Sequence, residues 1–170
     1  YNQVLMRQAA QRGDVETSGR LAKMDAQIDR LTVLINDLLD VSRIEAGTLE
    51  LRQEPIDLRR LAREAVETVQ VTSAGHRIEI AGEVGRPVVG DRERLGQVLT
   101  NLLTNAVKYS PQADRVVLRL AEDGEVAVVE VEDFGIGIDA EHLPHVFDRF
   151  YRVSNNDEKT FPGLGMGLFI

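Results

Sequence analysis

Residues 115–138 read RVVLRLAEDGEVAVVEVEDFGIGI. Apolar and charged residues alternate on both sides of Asp123-Gly124, which predicts a β-hairpin turning at that pair. Its second arm runs into Asp133, followed by Phe-Gly-Ile-Gly-Ile. Gly135 and Gly137 open backbone conformations closed to other residues and leave room for a flat ligand to approach. Asp133 is either the cap of a tight turn or an acceptor for an exocyclic amine.

Upstream, Asp57 is an N-cap signal for LRRLAREAVETV, whose Leu58, Leu61, Ala62, Ala65, Val66 and Val69 form one apolar face. HRIEIAG and RPVVG read as strands, TLELRQEPIDL alternates like one, and Asp91 caps a long helix through about Val107. In that helix Leu95, Val98, Leu99, Leu102, Leu103 and Ala106 make a core-facing stripe. This order is neither a regular βαβ repeat nor all-β. It predicts an α+β fold, a two-layer α/β sandwich with helices on one face of a mixed sheet.

The first 47 residues follow another pattern. YNQVLMRQAAQR looks like the tail of a helix, and Gly13-Asp14 like a stop and restart. Beyond it Leu21, Met24, Ile28, Leu31, Ile35 and Leu38 step by three and four, a heptad seam that Leu34 and Val41 widen. So broad a stripe predicts a helical hairpin that dimerises into a four-helix bundle. Gly47 stops it, giving a helical segment over 1–47 and a second domain over 48–170.

Composition narrows the function. The chain has 170 residues, 43% hydrophobic and 28% charged, enough for a real core. Twenty basic against 28 acidic residues give a net charge of −8, and Lys and Arg are nowhere concentrated with aromatics, so nucleic acid is not expected as a partner. No apolar run approaches the roughly 18 residues of a membrane span, so this segment is not expected to insert in a membrane. The absence of cysteine excludes disulfides and thiolate metal sites.

An Asp-Phe-Gly triplet also marks the metal site of protein kinases. That site needs an upstream His-Arg-Asp loop and a lysine on a strand after a Gly-rich loop, and neither is present. More informative are Asn101, Asn105 and Lys108, at steps of four and three, which lie within about 60° on one helix face. Asparagine disfavours helix interiors. The three are either a tolerated polar face, or an amide able to ligate a hard cation with a lysine able to meet phosphate charge. At the C-terminal end Gly163, Gly165 and Gly167 precede an apolar segment, where unobstructed backbone amides can collect around phosphate. GLGMGL fits neither the Lys-Ser/Thr phosphate loop nor the dinucleotide fingerprint.

NLLTNAVKYS, DFGIGI, FDRFYR and GLGMGLFI, in that order, resemble the N, G1, F and G2 boxes of sensor histidine kinases, and LINDLLDVSRIEAG resembles the second helix of their dimerisation hairpin. The resemblance covers almost the whole chain. It implies the Bergerat ATP-binding fold, ATP and Mg²⁺ as cofactors, a homodimer through the hairpin and a response-regulator receiver domain as partner. The implied location is the cytoplasm, whether or not the parent protein is anchored in a membrane. Asn105 would ligate Mg²⁺, with Asn101 and Lys108 beside the phosphates and Tyr109 near the nucleotide; Asn101, Asn105 and Lys108 are the implied catalytic set. Asp133 would read the adenine amine in a pocket shaped by Gly135 and Gly137. Phe147 and Phe150 would anchor a lid, and Gly163, Gly165 and Gly167 would close it over the phosphates.

Against this family the chain begins inside the first hairpin helix, without the box that carries the phospho-accepting histidine, and stops as the helix after GLGMGL begins. The expectation is therefore a kinase piece whose acceptor lies elsewhere, with His76, His142 and His145 as ordinary surface or lid residues. Hydrolases resembling gyrase, Hsp90 and MutL share the fold but place a glutamate four residues before the metal-binding asparagine. Here that position is Asn101, and an amide cannot take a proton from water. Phosphoryl transfer is thus favoured over hydrolysis, with a nucleotide-binding scaffold or an ATPase without kinase activity as the alternative.

Overall fold

The computed structural model describes residues 14–153 and 165–169. The expected helical tail over 1–12, and Gly163, lie outside them. The chain divides into two compact units, Tyr1–Leu49 and Glu50–Ile170.

In the first unit, helix α1 spans Val15–Glu45. Asp14 starts it as its sequence suggests, accepting the Thr17 N–H at 2.9 Å. The helix ends on paired bonds from Gly47 N to Ile44 O and from Thr48 N to Arg43 O. That closure places Gly47 at φ +63°, the left-handed position that glycine occupies without a Cβ penalty. Along the seam Met24, Ile28, Leu31, Ile35 and Leu38 are 48–58% exposed.

The second unit runs β1 (Glu54–Ile56), α2 (Leu58–Gln70), β2 (Arg77–Gly82), β3 (Val88–Gly90), α3 (Arg92–Lys108), β4 (Arg115–Asp123), β5 (Val126–Asp133) and a 3₁₀ turn at Leu143–His145. A three-stranded sheet has the order β2-β4-β5, with β2 parallel and β5 antiparallel to β4. The hairpin closes with Asp123 opposite Val126, around Gly124 in the left-handed region. Strands β1 and β3 form a separate antiparallel pair. The fold is the mixed α+β arrangement that the sequence predicts.

Alternation in β4 sends Val116, Leu118 and Leu120 to one face, where they join Leu61, Ala65 and Val69 of α2 and Leu99, Leu103 and Ala106 of α3 in one core. Leu103 and Leu118 are completely covered. The expected α3 stripe is too wide by two residues, since Val98 is 39% exposed and Leu102, only half-buried, does not join the core. The predicted strand over TLELRQEPIDL also shrinks to Glu54–Ile56. Its partner β3 offers only three residues to pair, and Pro55 has no N–H to give a ladder.

Asp91 caps α3 by accepting the Arg94 N–H at 3.1 Å, and its other oxygen accepts the Arg52 N–H at 2.9 Å. The bond from Arg52, followed by that from Arg94, holds the Asp91 carboxyl below the usual carboxylate range. The folded chain therefore binds this proton only at lower pH than the unfolded chain does. Its stabilisation is complete above the ordinary aspartate pKa and fades as pH falls below about 4. Asp91→Ala is expected to lower Tm by a few degrees at pH 7 and to flatten the acid limb of a Tm-against-pH curve. An unchanged acid limb would mean that the cap contributes nothing measurable.

Candidate nucleotide site

Helix α3 is the spine of the site. Its buried side fixes its rotation on the sheet, so Asn101, Asn105 and Lys108 share a half-buried face. The Asn105 carboxamide makes no hydrogen bond among the described residues. The Lys108 ammonium donates to the Tyr109 hydroxyl at 3.1 Å and lies 4.7 Å from the centre of that ring. Asn101 Nδ2 donates to the carbonyl of Gly167 at 3.1 Å, joining residues 66 positions apart.

The turn after β5 is fastened to the other end of the same helix. Ile136 N donates to the Tyr109 carbonyl at 3.0 Å. Asp133 Oδ1 accepts the Gly135 N–H at 3.0 Å and the Ser110 hydroxyl at 3.3 Å. A Cβ on Gly135 would stand 2.1 Å from the Tyr109 carbonyl oxygen and 2.6 Å from Ser110 Oγ. The absent side chain thus makes room for the protein's own backbone, a reason the sequence does not reveal. Gly137 lies at φ +70° with nothing near its missing Cβ. Phe134, Ile136 and Ile138 around the turn are all exposed.

A third segment brings the aromatic residues to the glycines. Phe147 and Phe150 are exposed, and Phe150 is held at φ +59°, the one non-glycine residue in the left-handed region among the described residues. Gly165, at φ +71°, packs so closely that a Cβ would stand 2.6 Å from the Tyr151 carbonyl oxygen and 2.9 Å from the Phe150 carbonyl carbon. The Arg149 guanidinium lies over the Phe169 ring at 5.7 Å. His142 Nδ1 bonds the Tyr151 hydroxyl at 2.9 Å and His145 Nδ1 bonds Asp148 at 2.8 Å, so both histidines brace this segment.

His76 is not the ordinary surface residue its sequence context suggests. It is half-buried, and its Nε2 lies 2.8 Å from the Ser110 carbonyl oxygen. Neither that bond nor the role of Ser110 carries a local sequence signal, because the partners are 34 and 23 positions apart.

Chemically, the site offers a carboxylate oxygen able to accept from an amine, a neutral amide beside a lysine, and a glycine-rich turn. Among the described residues no cluster of three His, Asp or Glu could hold a metal alone. A carboxamide without a partner suits Mg²⁺, which takes few protein ligands and fills its shell with phosphate oxygens and water. No helix of the described residues is long and apolar enough to cross a membrane.

Comparison with known proteins agrees with this geometry. Residues 90–170 match the family described as Histidine kinase-, DNA gyrase B-, and HSP90-like ATPase. The chain is 34% identical over 152 residues to the phosphate regulon sensor protein PhoR of Pseudomonas aeruginosa, covering 88% of this chain and 34% of that protein. It is 36% identical over 156 residues to the signal transduction histidine-protein kinase/phosphatase MprB of Mycolicibacterium smegmatis, covering 91% of this chain and 31% of that one. The chain thus spans about a third of the length of these relatives. Among solved structures, full-length ShkA in complex with AMPPNP superposes with a TM-score of 0.71 at 31% identity, covering 91% of this chain and 32% of that one. A mycobacterial sensor histidine kinase MprB superposes with a TM-score of 0.60 at 31% identity, covering 69% of this chain and 74% of its own. With the Asp133–Gly137 turn and Gly167 both bonded to α3 or its C-terminal end, and relatives of this identity, the chain belongs to the sensor histidine kinases and carries their ATP-binding domain.

Proposed function

We propose that residues 48–170 bind Mg-ATP and present its γ-phosphate to a histidine of the kinase dimerisation domain, from which it passes to a receiver-domain aspartate of a response regulator. The observation that carries this is the convergence on α3 of the Asp133–Gly137 turn at Ser110 and of Gly167 at Asn101. Asp133 accepts from the adenine amine, and Tyr109 lines the nucleotide between base and phosphates. Asn105 and Lys108 face the phosphates. Mg²⁺, when bound at Asn105, neutralises phosphate charge. The amides around Gly163, Gly165 and Gly167 cradle the terminal phosphates, and Phe147 and Phe150 anchor the segment that covers them.

In the transfer an imidazole nitrogen bonds to the γ-phosphorus as the bond to the β–γ bridging oxygen breaks, and ADP leaves. Positioning and charge neutralisation suffice for this reaction. Hydrolysis requires a base for water, and the Asn101 amide, already donating to Gly167, supplies none. The exposed seam of α1 supports a homodimer in which residues 1–47 form half of a four-helix bundle. The proposed setting is the cytoplasm.

Incubation with γ-labelled ATP tests the reaction. The 170-residue chain alone is expected to stay unlabelled and to hydrolyse ATP slowly. Chain extended upstream through an acceptor helix is expected to gain acid-labile, base-stable label, the behaviour of phosphohistidine. Acid-stable label on the extended chain, or stoichiometric label on the 170 residues alone, would contradict the proposal. Nucleotide binding without any label on the extended chain would favour the scaffold alternative.

A further inference from the structure

Asp133 has two oxygens, and the protein uses them unequally. Oδ1 accepts both the Gly135 N–H and the Ser110 hydroxyl, which fills its two lone-pair directions. Oδ2 has no partner among the described residues. We propose that Ser110 is a specificity-determining positioning residue: it commits Oδ1 to the protein so that only Oδ2 faces the base, and His76 holds Ser110 in place from the far side of the loop. This rests on Asp133 reading the amine of the bound base.

Ser110 is built for the task. It is completely buried, although it follows directly on a helix end. Its N–H is taken by Val107 O at 3.3 Å, and its carbonyl accepts from Ala113 N at 3.1 Å. The same carbonyl lies 2.8 Å from His76 Nε2. A carbonyl cannot donate, so Nε2 carries the proton and His76 is the donor. His76 is itself tied down: its N–H donates to Ser73 O at 3.1 Å, and its carbonyl accepts from Gln70 Nε2 at 2.7 Å. Gln70 Oε1 in turn accepts the Ile78 N–H at 3.1 Å, at the start of β2. A bonded path therefore leads from the end of α2, through His76 and Ser110, to one oxygen of Asp133.

Without the Ser110 hydroxyl the carboxylate keeps a single anchor in Gly135 N, and rotation about its last bond presents either oxygen, or neither squarely. A base amine that must donate to a carboxylate loses by this. A base with a carbonyl at the same place never used the contact. Ser110 thus affects discrimination between purines, and the metal-dependent part of binding is left alone.

The test is competition binding of Mg-ATP and Mg-GTP to the 170-residue chain and to its Ser110→Ala, Asp133→Asn, His76→Phe and His76→Gln variants, with each titration repeated in EDTA. Loss of one hydrogen bond to an ionised carboxylate is expected to weaken ATP binding about tenfold in Ser110→Ala. GTP affinity and the gain in affinity on adding Mg²⁺ are expected to stay at parent levels. His76→Phe shifts the ATP/GTP ratio the same way by a smaller factor, and His76→Gln, which keeps an N–H donor, restores it. A parent that discriminates, with a ratio abolished in Asp133→Asn but unchanged in Ser110→Ala, would overturn the role of Ser110 alone. Equal loss of both nucleotides in Ser110→Ala would overturn it too, leaving a residue that only stabilises the fold. A parent binding ATP no better than GTP would refute the reading of Asp133, and this inference with it.

Discussion

Gly135→Ala is expected to abolish measurable ATP binding and to destabilise the second unit by about 1–3 kcal/mol, the usual range for forcing an extra methyl into a packed site. The added Cβ would stand 2.1 Å from the Tyr109 carbonyl oxygen and 2.7 Å from the Tyr109 carbonyl carbon. These are backbone atoms at the end of a helix anchored in the core, so they cannot swing aside as a side-chain tip can. The Asp133–Gly137 turn must instead lift away. It then loses the Ile136 bond to Tyr109 and the Ser110 hydroxyl that orients Asp133 from outside the turn. Gly137→Ala is the informative control. Its Cβ meets nothing within 4 Å, but its φ of +70° costs an alanine about 1 kcal/mol. Urea unfolding and ATP titration on both variants check the contrast. Equal behaviour of the two would mean that the close approach to Tyr109 is not what Gly135 is for.

Asn105→Ala is expected to weaken ATP binding about 10- to 100-fold in Mg²⁺ and hardly at all in EDTA, the scale on which disturbing a metal's protein shell is usually felt. Its carboxamide makes no hydrogen bond among the described residues, so truncation breaks no network and stability is expected to stay within about 0.5 kcal/mol of the parent. Asn101→Ala differs in kind, because it releases the Gly167 carbonyl and so loosens the glycine turn whether or not metal is present. Titration of a fluorescent ATP analogue with and without Mg²⁺ separates them. An Asn105→Ala variant that keeps the full effect of Mg²⁺ would remove Asn105 from the metal site.

Features set by local chemistry could be read from the sequence. Asp14, Asp57 and Asp91 each announce a helix start and each accepts the N–H three residues on. The β4–β5 hairpin follows from alternation around Asp123-Gly124. The polar face of α3 is a matter of spacing. What could not be read depends on who arrives from elsewhere in the chain. A long alternating run before Asp57 yields only three strand residues because its partner is three residues long. His76 and Ser110 look unremarkable in sequence, yet the fold joins them at the back of Asp133. Gly135 advertises freedom of the backbone, whereas its position requires only the absence of a Cβ against Tyr109.

The central claim, that nucleotide is held between α3, the Asp133–Gly137 turn and the glycine-rich turn, is tested most directly by backbone amide NMR of the ¹⁵N-labelled chain titrated with ATP and Mg²⁺. Saturable shift changes are expected at residues 101–110, 133–138, 147–153 and 165–169, with the Gly135 amide among the largest and the α1 amides unmoved. An absence of saturable shifts, or shifts centred on α1 or on the β1–β3 pair, would contradict it.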